Sequence, residues 1–210
     1  MELKILIFNN NKILKTREYN NLFPIFLYIC YMINFVEDRC SNYQHRTFMN
    51  VELSEITIIF AVDLTTAGEK CTLNYCKTCE RPAFVFTINE RGGIGNEQGG
   101  KLLELVNYIY DNKITSVNIA GNGIYTFNKY GITQERLNDL VYNFISFINT
   151  SKWSIKKVRS GGQTGADEAG LVAGDRLGLE TTSLCPKGWR FRTIENKDVY
   201  SEEEYKARFK

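Results

Sequence analysis

Val158-Arg-Ser-Gly-Gly-Gln-Thr-Gly-Ala-Asp167 decides how the rest of the chain is read. A short β-prone run ending at Val158 feeds a glycine turn, and a helix of small residues opens at about Gly165. Glycine reaches backbone angles that other residues avoid, so successive N–H groups can point into one concavity. The positive end of the helix dipole faces the same spot. Strand, glycine loop and helix N-terminus together form an anion site, most often for phosphate.

Working outward, strand and helix signals alternate. Residues 56–62, Ile-Thr-Ile-Ile-Phe-Ala-Val, are a continuous apolar, β-branched run, as in a strand buried on both faces. Thr66 with Glu69 three residues on predicts a capping box opening a helix that runs to Cys76. Residues 83–88, 116–120, 155–159 and 181–184 read as further strands. Helices are expected over 101–110, over 134–149 with a cap at Thr133, and from 165 to about 177. The helix over 134–149 carries an apolar stripe of Leu137, Leu140, Val141, Phe144, Ile145 and Ile148. This order predicts an α/β, Rossmann-like fold: one domain, a mostly parallel sheet, helices on both faces. Ligands in such sheets sit outside the carboxyl ends of the strands. That rule gathers the loops at 63–69, 121–125, 160–167 and 185–189.

The first 50 residues differ from the rest: they hold no glycine and no alanine, and all sixteen glycines follow. Residues 1–48 are therefore set apart as an atypical extension, with the Rossmann-like domain over 49–210. Because their residue types have AT-rich codons, Met49 is the expected working start. The apolar run over 22–36, broken by Pro24, is shorter than the roughly 20 residues a membrane span needs. No membrane span and no signal peptide are expected. The formal charge of +2 excludes a strongly basic, phosphate-tracking nucleic-acid binder. Six cysteines read as reduced thiols in a cytoplasmic protein. Cys71, Cys76 and Cys79 lack the second pair or histidines that a zinc site needs, since His45 is the sole histidine, and no metal site is assigned. Self-association into a homo-oligomer is left open.

The candidate ligand-binding residues are Ser160, Gly161, Gly162, Gln163, Thr164 and Gly165 in the loop. Lys187 and Gly188 in the Cys185-Pro-Lys-Gly turn join them as a point charge and a backbone approach. Asn122 and Gly123 after the third strand and Thr66 before the first helix complete the set. Each has a plainer structural reading as cap or turn. Asp167 and Glu168 are the only acids beside the loop. They are the candidate catalytic groups, able to grip ribose hydroxyls or act as general base, and equally suited to the start of a helix. Cys185 has no neighbouring histidine to activate it. The run over 92–99 does not fit Gly-x-Gly-x-x-Gly and reads as a flap or plain loop.

Ser160-Gly-Gly-Gln-Thr-Gly-Ala-Asp167 followed by Cys185-Pro-Lys-Gly188 resembles the molybdenum-carrier family over about 155–200. That family is similar to the wider Rossmann-like group of SLOG nucleotide sensors and LOG (lysine-decarboxylase-like) proteins. The resemblance implies a pocket for a phosphate-bearing, nucleotide-derived ligand or a molybdenum cofactor. LOG phosphoribohydrolases carry Pro-Gly-Gly-x-Gly-Thr-x-x-Glu; here Ser160 stands for the proline and the Thr164-Gly165 order is reversed, with Glu168 at the glutamate's offset. The expected function is therefore binding, as sensor, carrier or sequestering protein. The alternatives are a nucleotide N-glycosidic hydrolase and an interaction module with a vestigial pocket.

Overall fold

Six parallel strands make the sheet, in the spatial order β1-β6-β5-β4-β2-β3. These are β1 (Asn34–Glu37), β2 (Ile56–Ala61), β3 (Ala83–Thr87), β4 (Ser116–Gly121), β5 (Lys157–Ser160) and β6 (Glu180–Cys185). The computed structural model describes residues 33–150 and 153–209, preceded by a short antiparallel pairing of Phe8–Asn9 with Lys12–Ile13.

The helices are α1 (Tyr43–Glu52), α2 (Ala67–Thr78), α3 (Gly99–Asp111), α4 (Ile124–Asn128), α5 (Gln134–Asn149), α6 (Ala166–Arg176) and α7 (Glu202–Ala207). A hairpin of β7 (Arg190–Arg192) and β8 (Asp198–Tyr200) stands apart from the sheet.

Alternation along β2 splits the core. Ile56, Ile58 and Phe60 face the helices α3, α5 and α6, whereas Ile59 and Ala61 face Leu73 of α2. Every residue of β2 is buried, as its unbroken apolar run predicts. On the first face Phe144 of α5 meets Phe60 edge-on at 5.1 Å and Phe86 at 4.7 Å, an arrangement aromatic rings favour. Thr133 caps α5 by accepting from the Arg136 N–H, and the predicted stripe is buried except for Leu140, which is half-buried. Gly170 lets α6 lie on the sheet, since a Cβ there would stand 2.4 Å from the Ile119 Cβ.

The expected boundary after residue 48 falls inside α1. Residues 34–48 supply the edge strand and the first part of a helix, so this portion of the compositional extension is continuous with the sheet. Met49 lies mid-helix. Of the apolar run over 22–36, residues 22–32 lie outside the described residues. No helix among the described residues is long and apolar enough to cross a membrane. The run over 92–99, expected as a flap or plain loop, is anchored near its end: the Gln98 amide accepts from the Thr87 N–H and donates to the Thr87 carbonyl, at 2.9 and 2.7 Å.

β1 comes from the start of the described chain, yet it pairs with β6 near its end. Phe35 of β1 packs on Phe209, ring centroids 5.5 Å apart, which brings the two ends of the domain together. If the chain were cut before β5 and rejoined at this edge, it would run β5, β6, β1 across adjacent strands.

Candidate functional site

The glycine loop after β5 is filled by the protein's own groups. Gly162 has φ +66°, and a Cβ there would stand 1.5 Å from the Tyr205 hydroxyl oxygen and 2.6 Å from Ser183 Oγ. Gly165 has φ +97° and lies against the Asn122 and Ile124 backbone. At Gly161 a Cβ would fall 1.4 Å from Arg46 Nη1, so a guanidinium occupies the space a bound phosphate would take over that residue. Close approach is what these glycines permit, and protein atoms make that approach.

The loop's side chains are equally committed. Ser160 Oγ donates to the Ile119 carbonyl at 2.6 Å. The Gln163 amide donates to the Arg190 carbonyl at 2.9 Å and accepts from the Arg192 N–H at 3.0 Å. Thr164 Oγ1 donates to the Arg192 carbonyl. The loop thus grips β7 by its backbone and holds the side chains of Arg190 and Arg192 in place. Gly165 N–H donates to Gln134 Oε1 of α5 at 2.6 Å.

Beside the loop lies a cleft of about 400 Å³. One wall is α1, through Tyr43, Arg46 and Asn50; facing it are Thr66, Gly68 and Glu69 at the start of α2. Its floor is the carboxyl end of β4 with Gly161, Gln163, Thr164 and Asp167, and its mouth carries Gly123, Tyr125, Arg190 and Arg192. This is where the rule for open α/β sheets places a ligand. Arg190 and Arg192 both donate to Asp198, so two guanidiniums share one carboxylate and a positive charge is left over. The Tyr43 ring lies near two guanidiniums, Arg190 at 4.6 Å and Arg46 at 5.3 Å. Three buried atoms on α1 have no hydrogen-bond partner: Tyr43 Oη, Arg46 Nε and Asn50 Oδ1. Their spacing puts them along one face of the helix, and buried polar atoms left unpaired in this way call for a partner.

Two acids line the cleft. Asp167 Oδ2 accepts from Arg46 Nη1 at 2.9 Å and from the Gln163 N–H at 3.4 Å. Burial pushes its carboxyl up from the ordinary value, and the Arg46 charge pulls the other way. Glu69 is 3 % exposed, and burial pushes it to about 7, against hydrogen bonds from its own N–H and from the Asn122 side chain. The predicted capping box does not form: Thr66 makes no side-chain cap bond, and Glu69 bonds its own N–H rather than reaching back.

Gly161, Gln163, Thr164, Asp167, Gly123 and Thr66 thus meet in the cleft as a group. Ser160, Gly162 and Gly165 lie behind its wall as supports. Asn122 is a clamp: its Oδ1 accepts from the Val62 and Asp63 N–H groups at 2.8 and 2.9 Å, and its Nδ2 donates to the Asp63 carbonyl at 2.8 Å. That fixes the turn leading into α2. Glu168 is out of the cleft, held by Arg208 Nη1, while Arg208 Nη2 donates to the Gly162 carbonyl at 2.7 Å. Lys187 and Gly188 do not line the cleft either; Gly188 N–H donates to Glu37, and the Lys187 N–H to the Cys40 carbonyl. Cys185 is buried, its Sγ donates to the Val36 carbonyl, and burial pushes the thiol up to about 12, which disfavours the thiolate. Tyr43, Arg46, Asn50 and Glu69 line the cleft without having been singled out from sequence as ligand contacts, and Arg190 and Arg192, which add positive charge beside the Cys185-Pro-Lys-Gly turn, line it as well. A signal existed for α1: Asn42 as N-cap, followed by polar residues at helical spacing at 43, 46 and 50.

No curated protein matches the chain. Residues 28–136, just over half of the chain, match the circularly permutated YpsA SLOG family. The match begins ahead of β1 and takes in α1 and α2, the two helices that wall the cleft. It supports the SLOG group and lends nothing to a molybdenum-carrier assignment. With an edge strand, β1, that precedes the other sheet strands in sequence yet pairs with the last of them, and a ligand-sized cleft at the carboxyl edge, the chain belongs to the circularly permutated YpsA SLOG family.

Proposed function

We propose that the cleft binds a phosphate-bearing, nucleotide-derived ligand, and that the protein acts as a sensor, carrier or sequestering agent for it. The observation that carries this reading is the row of unpartnered buried atoms on α1, Tyr43 Oη, Arg46 Nε and Asn50 Oδ1, beside the Arg190–Arg192 strand. The anion falls between those arginines and the first turn of α2, where N–H groups and dipole favour negative charge. The Tyr43 and Tyr125 rings offer flat faces for a base. A pterin phosphate, as in a molybdenum cofactor, presents the same chemistry and belongs in the same test.

Calorimetry and native mass spectrometry against nucleoside monophosphates, ADP-ribose, cyclic ADP-ribose isomers and molybdopterin test the reading. One member binds with a stoichiometry of about one per chain, and Arg192→Met weakens it by about tenfold or more, the scale of a charge-assisted hydrogen bond lost. Folded protein that binds no member overturns the reading.

Glu69 supports a second reading, the N-glycosidic hydrolase. A carboxyl at about 7 inside a cleft is half protonated near neutrality and suited to general acid or base work. It takes the role that sequence reading gave to Glu168, whose carboxylate is bound to Arg208. Free base released from nucleoside monophosphates, and not released by Glu69→Gln, is the expected result; unchanged release by the variant refutes it.

A further inference from the structure

Outside the cleft, one cluster brings together three different metal-binding side chains. Asp38, Cys40 and His45 place a carboxylate oxygen, a thiol sulfur and an imidazole nitrogen all within 4.8 Å of one another. They come from one short stretch: the turn that leaves β1 and the first turn of α1. His45 is the chain's sole histidine.

The cluster is built rather than incidental. The Asp38 side chain is only 4 % exposed, and its carboxylate lies against the His45 imidazole, a costly place for an anion that has no firm partner. Asp38 Oδ2 lies 2.7 Å from His45 Nδ1, and Oδ1 accepts from the Cys40 N–H at 3.3 Å. Asn42 caps the helix and fixes the His45 backbone at 3.0 Å. The Cys40 carbonyl accepts from the Lys187 N–H at 3.0 Å, which pins the turn from the other side. Donor atoms of this kind around one tetrahedral zinc stand about 3.3–3.6 Å apart, so the Asp38–His45 pair, now 2.7 Å apart, opens by about 0.6 Å and the widest pair, at most 4.8 Å, closes by about 1.3 Å.

We propose that Asp38, Cys40 and His45 form a site for a divalent transition metal of zinc type, with a fourth position open to water. Carboxylate and thiolate balance the charge of the ion, so it is not left opposed by the positive end of α1. Binding displaces the thiol proton to solvent, and the imidazole binds in its neutral form. Arg39, whose Nη2 is 3.5 Å from His45 Nε2, is exposed and free to swing away. Thiolate and imidazole donors select zinc, cobalt or copper(I) over magnesium and calcium, which take oxygen ligands. The metal clips β1 to α1, the helix whose next residue is Arg46.

The test is cobalt(II) titration of the full chain, reduced and stripped with chelator. The expected result is one cobalt per chain, tetrahedral d–d bands, a thiolate-to-cobalt charge-transfer band, and displacement of both by zinc. The charge-transfer band disappears in Cys40→Ser and persists in Cys71→Ser and Cys79→Ser. His45→Ala weakens binding by more than the roughly 10–100-fold that loss of an outer-shell partner costs. Far-ultraviolet circular dichroism of each metal-free variant shows that it is folded. A wild-type chain without a thiolate band, or a band that survives Cys40→Ser, overturns the proposal; so does unchanged affinity in His45→Ala.

Discussion

Replacing Arg46 by methionine tests whether the space over the glycine loop belongs to a structural ion pair. Arg46 and Asp167 are 6 % and 8 % exposed, and their hydrogen bond is 2.9 Å long. Methionine keeps much of the side-chain length and leaves Asp167 buried without its cation. Breaking a buried pair at one partner costs about 3–5 kcal/mol, a large part of the 5–15 kcal/mol that holds a typical domain together. With a urea m-value of about 2 kcal/mol/M, the midpoint falls by about 1.5–2.5 M at pH 7. The sign of the pH effect follows from the raised carboxyl. With Arg46 gone, burial acts on Asp167 against only the weaker hydrogen bonds from Gln163 and Ser160, and the folded state prefers the protonated acid. Such a group contributes fully below its unfolded value and loses that contribution as pH rises through its folded value. The gap between wild type and Arg46→Met is therefore widest at neutral pH and narrows towards pH 4. Arg46→Met with Asp167→Leu removes both charges and recovers most of the loss, because an apolar pair of similar volume replaces an ion pair at little cost. Urea unfolding followed by tryptophan fluorescence at pH 5, 6, 7 and 8 gives these values. A loss under about 1 kcal/mol in the single variant, or the same loss at every pH, refutes the reasoning.

Glu69 predicts a second pH dependence of the same sign. Its folded value of about 7 lies above the ordinary 4.5, so its contribution is complete below 4.5 and is lost as pH rises through 7. The lost stability is on the order of 3 kcal/mol. Glu69→Gln flattens the dependence of the urea midpoint between pH 5 and 8, and a slope equal to wild type shows that the carboxyl titrates elsewhere. Expression of residues 49–210 tests the boundary read from composition. That fragment lacks β1, opens the edge of β6 and removes Arg46 from Asp167, so it gives no cooperative urea transition; a transition with the wild-type midpoint would show that residues 33–48 are dispensable.

The sheet was legible because burial on both faces writes itself as apolar, β-branched runs. Ile56–Ala61 needs no context to be read as a strand. β1 was not legible for the opposite reason. Asn34–Glu37 is an edge strand, mostly exposed, and it has one neighbour to pay its backbone hydrogen bonds. The absence of glycine and alanine before residue 50 carries no information about where residues 34–48 pack. The β7–β8 hairpin was not legible because it is short and charged, and what holds it, the pairing of Arg190 and Arg192 with Asp198, joins residues whose spacing carries no strand pattern. At the glycine loop, sequence pointed to a close approach, and the groups that approach are Arg46 over Gly161 and Tyr205 over Gly162. Three glycines in five positions signal close approach, but a phosphate, a guanidinium and a tyrosine hydroxyl are indistinguishable from that signal alone.

Arg46 explains why the site resists reading from any one motif. Its side chain comes from α1, before the first interior strand, and it lands on Gly161 and Asp167, more than a hundred residues later. In a sheet whose strands follow the chain from one edge, such a pairing would join neighbours in sequence. Here β1 and α1 lie beyond β6, so the start of the domain is folded against its end. The glycine loop supplies the shape, by making room for Arg46 and gripping β7 through Gln163 and Thr164. The charges that face the cleft come from α1, α2 and β7, and from Asp167 at the start of α6. A phosphate-bearing ligand would then meet arginines first and glycine backbone second. On the proposed reading the loop would contribute to affinity indirectly: a loop substitution that releases β7 is expected to weaken binding through Arg190 and Arg192 without touching the ligand.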